Sequence, residues 1–222
     1  RLVLVPDKAL FRLPFDALKS APEAPPLAAR YEVSIAPSAG LWLRWRQAGD
    51  SGTTAAALVL ADPVLPVPGA TLVAGESERG LGLPQELGPL PHARREARAI
   101  VRALGGDTLA VLGADASEAY LATVDLRRFG VVHFAAHAVI DDVHPDRSAL
   151  VLSGGLLHVR EIVGLDLRGS VVVLSACRSS AGPLLDGEGP MSLARGFFQA
   201  GARAVVGSLW PLRDDQAASF VT

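Results

Sequence analysis

Apolar residues recur along this chain at two spacings, and the change from one to the other marks its elements. HARREARAIVRALGG, from His92, sets apolar among charged residues at helical spacing and ends on Gly105 and Gly106, which predicts a helix closed by a glycine cap. TLAVLG then reads as a strand, SEAYLATVDL as a helix led by Ser117, and GVVHFAAHAV as a strand ending near His137. A loop, SALVLSG, the short helix VREIVGLD and the run SVVVLSAC complete a second round. A helix over 192–200, the strand ARAVVGSLW and a helix start after Asp214 continue it. Strands alternating with helices predict an α/β fold: a mostly parallel sheet covered on both faces, with ligands at the carboxyl ends of its strands.

The first ninety residues are less regular. LVLVPDKALFRLPF, residues 2–15, carries two β-rich runs around a Pro-Asp-Lys turn signal and predicts a hairpin. A Pro/Ala-rich connector over 20–29 leads to YEVSIAPS, a short Trp-bearing helix around Leu41 to Gln47, and the buried-type run AAALVLADP. Residues 63–90 are rich in Pro and Gly and read as a long surface loop.

At 222 residues and 50% apolar, the chain is long enough for a full core. Its formal charge of -2, from 21 basic and 23 acidic residues, gives no electrostatic case for nucleic acid or an anionic membrane as partner. The apolar runs stop well short of the roughly 20 residues that a membrane span needs, and the expectation is that no signal peptide opens the chain. A single cysteine cannot form an internal disulfide, so the expected compartment is the reducing cytoplasm, and thiol chemistry must come from Cys177. Arg1 falls inside a strand pattern and Thr222 inside a helical one, so the expectation is a piece of a longer polypeptide.

Two of the predicted strand ends carry reactive side chains, His137 and Cys177, each followed by small or polar residues. In a parallel sheet both ends lie on one edge, where an imidazole can take the thiol proton and turn Cys177 into a nucleophile for acyl transfer. Backbone N–H groups just past the strands can hold the oxyanion. A packed cysteine and a satisfied core histidine are the bland alternative. A shared metal is disfavoured, because four residues of strand separate His133 from His137 by about 13 Å; His133 reads as a packed or network histidine. GSLWP lacks the second glycine of a serine-hydrolase elbow, and no phosphate-binding G-x-x-x-x-G-K-[ST] occurs, so serine hydrolysis and phosphoryl transfer drop out.

At HFAAHA, LSACRSS, EGPMSLARGFFQAGA and VVGSLWPLRDD the chain resembles the CHAT family of caspase-like cysteine peptidases, relatives of the separases. LVLVPDKALFRLPFDAL and YEVSIAPSAGL are similar to the start of CHAT domains, so the resemblance spans nearly all residues. It implies a caspase-like three-layer α/β/α sandwich with a mostly parallel central sheet and an N-terminal β-hairpin extension. The expected organisation is a single domain over 1–222, with an N-terminal lobe over 1–90 and a catalytic core over 91–222.

The resemblance puts the catalytic histidine at His137, the nucleophile at Cys177, and the oxyanion donors at the N–H groups of Ala138 and Cys177. SACRS is similar to the caspase Q-A-C-R-G, but Ser175 stands where the Gln would be, which argues against aspartate specificity. Separases follow their SLW with an aspartate that helps hold a P1 arginine, whereas Pro211 follows Trp210 here. The expected substrate-binding residues are Ser175, Asp186, Glu188 and Trp210, with an extended substrate adding as a strand beside 202–210.

The expected activity is therefore hydrolysis of protein or peptide substrates with no cofactor or metal, controlled by upstream TPR repeats or a regulatory partner. A CHAT-like interaction scaffold without turnover is the alternative.

Overall fold

The computed structural model describes residues 1–47, 54–65, 87, 89–141, 144–175, 184–185, 189–190, 193–209 and 213–221. In chain order the elements are β1 (Leu2–Leu4), β2 (Val33–Ile35), α1 (Ala39–Gln47), β3 (Ala57–Ala61), α2 (Ala93–Leu104), β4 (Leu109–Leu112) and α3 (Glu118–Thr123). They continue with β5 (Val131–Ala135), β6 (His137–Val139), β7 (Ala149–Leu152), β8 (Gly155–His158), α4 (Val159–Val163) and β9 (Val171–Leu174). The two-residue strands β10 (Leu184–Leu185) and β11 (Gly189–Pro190), then α5 (Leu193–Gln199), β12 (Ala204–Gly207) and α6 (Asp214–Val221), complete the chain.

Five of these strands form one wholly parallel sheet in the order β12-β9-β5-β3-β4. Side chains alternate across a strand, so a continuous apolar run is stable only where both faces are covered. In β3, Leu58 and Leu60 enter the large core with Leu121 of α3, Ile162 of α4 and Phe197 of α5, while Val59 and Ala61 meet Ala93, Ala97 and Ile100 of α2. Helices thus lie on both faces, which is the expected three-layer arrangement. The order reverses between β3 and β5, since β4 lies on one side of β3 and β5, β9 and β12 follow on the other. Among the described residues no helix is long and apolar enough to cross a membrane.

The helix motif from His92 behaves as its spacing predicts. Ala93, Glu96, Ala97 and Ile100, at positions i, i+3, i+4 and i+7, are its buried face, and Gly105 ends it at φ +57 with its N–H on the Val101 carbonyl. Ser117 caps α3 by accepting the Tyr120 N–H at 3.2 Å. Gly130, just before β5, leaves room for the Thr54 carbonyl, which a Cβ would strike.

Two expectations need correction. The segment 2–15 is no hairpin: β1 pairs parallel with β2, and Lys8–Arg12 forms a 3-10 helix in between. The helical turn buries Phe11 and leaves Leu10 and Leu13 exposed, so the second apolar run does not build a ladder. Nor does GVVHFAAHAV form one strand. Its first part is β5, the chain leaves the central sheet at buried Ala136, and His137 opens β6 in a separate antiparallel sheet ordered β6-β7-β8. Both faces of β7 are buried, Leu150 and Leu152 in the large core and Ala149 and Val151 in a smaller cluster with Val139 and Leu156. Most of the Pro/Gly-rich loop over 63–90 lies outside the described residues, although Leu65 and Leu87 near its ends pack on that smaller cluster.

Candidate active site

β5 and β9 are neighbouring parallel strands with Phe134 opposite Leu174, so their carboxyl ends lie side by side. The ladder extends one residue further, because the Ser175 N–H donates to the Phe134 carbonyl at 2.9 Å. On the other side of β5, the Asp62 N–H donates to the Ala135 carbonyl at 3.1 Å, so the end of this strand is held from both flanks. His137 follows two residues beyond Ala135, opposite Val151 of β7, and Ala138 lies opposite Leu150; both are half-buried. Of the residues expected at the site, His137, Ala138 and Ser175 are therefore placed, while Cys177, Asp186, Glu188 and Trp210 lie outside the described residues.

Beneath these strand ends is a polar group that the sequence only half disclosed. His133 is buried at 2% exposure, and its Nε2 lies 2.6 Å from Oε1 of Glu96, itself 1% exposed on α2. With a carboxylate as partner, Nε2 carries the proton and donates. The Ser175 hydroxyl donates to the other oxygen, Oε2, at 3.0 Å. One carboxylate thus accepts from two strands, and its burial is offset by a hydrogen bond on each oxygen. The first turn of α2, where the positive end of the helix dipole lies, favours that charge.

The expectation of a network histidine at 133 agrees with this geometry, whereas Glu96 was not singled out. A signal for it exists: in ARREARAI it falls on the apolar stripe with Ala93, Ala97 and Ile100, a place no solvated glutamate would take. The same end of α2 makes two further ties. Arg94 Nε bonds Asp62 just past β3, and the His92 N–H donates to Asp214 Oδ2 at the start of α6 at 2.8 Å.

A family model described as CHAT domain matches residues 1–222. No curated protein matches the chain.

Proposed function

The chain belongs to the CHAT domain family, which is related to the caspase-like peptidases, and from that premise we propose that it is a cysteine endopeptidase using His137 and Cys177. The observation that carries the reading is the adjacency of β5 and β9. His137 comes two residues after Ala135 and Cys177 three residues after Leu174, and those strands are hydrogen-bonded neighbours. Consecutive Cα atoms are about 3.8 Å apart, so the covalent chain alone keeps Cys177 within about 7 Å of Ser175, measured between Cα atoms.

In this mechanism the imidazole of His137 takes the proton of the Cys177 thiol, and the thiolate attacks the scissile carbonyl carbon. The N–H groups of Ala138 and Cys177 hold the resulting oxyanion. His137 then gives the proton to the leaving amine, and a thioester remains on Cys177. Water deprotonated by the same imidazole hydrolyses it, which frees the acid and restores the thiol.

Substrates are protein or peptide segments that add as a strand beside β12, an edge strand of the central sheet next to β9. Trp210 walls the cleft there, and Pro211, lacking an N–H, ends the docking edge. With no acid at 211, the P1 preference is apolar or mixed, and a basic preference would have to come from Asp186 or Glu188.

Labelling with a library of peptidyl acyloxymethyl ketones tests this. The expected result is a thioether adduct on Cys177, lost in Cys177→Ala and in His137→Ala. Failure of every member to label a folded wild-type chain would overturn the peptidase and favour the silent scaffold.

A further inference from the structure

We propose that Glu96 is a positioning residue for the dyad, tying together the two strand ends that lead to His137 and Cys177. The inference rests on the reading of that pair as catalytic. Each oxygen of the carboxylate is used, and each on a different strand: Oε1 accepts from His133 in β5 at 2.6 Å, and Oε2 from Ser175 just past β9 at 3.0 Å. His133 is four positions before His137, and Ser175 two before Cys177.

Apolar contacts would hold α2 on the sheet equally well, because hydrophobic attraction is non-directional. A buried carboxylate bonded on both oxygens adds direction, and it does so at a desolvation cost that an apolar side chain avoids. Its benefit therefore has to be geometric: it sets the lateral and rotational relation of the two strand ends. The Ser175 hydroxyl is the arm of this clamp nearest the nucleophile. Small displacements of a reacting group cost rate out of proportion to the stability they cost, so the clamp acts on the chemical step.

Cys177 is the only cysteine, so its alkylation by iodoacetamide at pH 7 reports on the nucleophile without any substrate. Wild type, His137→Ala, Ser175→Ala and Ser175→Thr would be compared for alkylation rate, for inactivation by a labelling acyloxymethyl ketone, and for thermal midpoint. His137→Ala is expected to slow alkylation by about tenfold or more. Ser175→Ala is expected to lower the alkylation rate and kinact about five- to tenfold with KI within about twofold, while the midpoint falls only about 2–4 °C, the scale of one lost hydrogen bond. Ser175→Thr, which keeps the hydroxyl, should recover most of the rate. A Ser175→Ala chain that alkylates at the wild-type rate, alongside a slowed His137→Ala, overturns the clamp and leaves the dyad standing. Equal rates in wild type and His137→Ala overturn the dyad, and the clamp with it.

Discussion

Two polar clusters with similar hydrogen-bond lengths occupy opposite environments in this molecule. In the core, Glu96 accepts from His133 at 2.6 Å and from Ser175 at 3.0 Å, across 37 and 79 residues of chain. On the surface, Arg127 donates to Asp125 at 3.1 Å and Arg168 to Asp166 at 2.6 Å, in both cases between residues two apart. The surface bonds bring together groups that the chain already holds close, in high dielectric, so closing them organises almost nothing. The interior bonds join a helix to two strand ends that lie far from it along the chain. Sequence separation and burial, more than distance, decide what a polar contact does for the fold.

The largest effect should come from emptying the buried cluster. Glu96→Ala is expected to cost about 3–5 kcal/mol in urea-induced unfolding, through the cavity and the unpaired His133 and Ser175 it leaves. A loss below about 1 kcal/mol would mean that the carboxylate is not integral to the core.

Replacing the buried pair together sharpens the contrast. Glu96→Met combined with His133→Leu should regain most of that stability, since well-packed apolar substitutes for a buried pair are often neutral or better. It should not regain the wild-type alkylation rate of Cys177 if the clamp acts through geometry. Recovery of both would show that packing alone positions the strand ends.

The smallest effect belongs to the surface cluster. Asp125 is held below its ordinary value of 3.8 chiefly by the Arg127 hydrogen bond, and Asp166 likewise by Arg168. A carboxyl lowered in the folded state contributes stability above its unfolded value, and that contribution disappears as the pH falls below it. Any acid-side loss from this cluster therefore lies below about pH 4, and salt should screen it. The variants Asp125→Asn and Asp166→Asn should leave the thermal midpoint at pH 7 without resolvable change. A clear drop would place these pairs in a load the exposed geometry does not suggest.

Much of the central sheet and its covering helices was legible from periodicity, because their signals are local. Helix α2 announces itself by its apolar stripe and its glycine end, and β3 and β9 by runs too apolar for a half-exposed strand. The opening segment misled because a Pro-Asp-Lys turn signal fits a 3-10 helix as well as a hairpin, and the pairing of β1 depends on β2, some thirty residues away. The break at Ala136 was hidden for a similar reason. HFAAHA is uniformly compatible with extended backbone, and only the competing antiparallel partner β7 draws His137 out of the central sheet.

The amino-acid order by itself determined the α/β alternation, the family, and the pair His137 and Cys177 as the residues whose chemistry is worth testing, since each rests on residue type and near-neighbour spacing. Only the tertiary structure decided that β5 lies between β3 and β9, that His137 begins a second sheet, and that Glu96 reaches both strands leading to the pair. Those facts depend on which distant segments exclude water together, and no local pattern encodes the partner of a buried carboxylate.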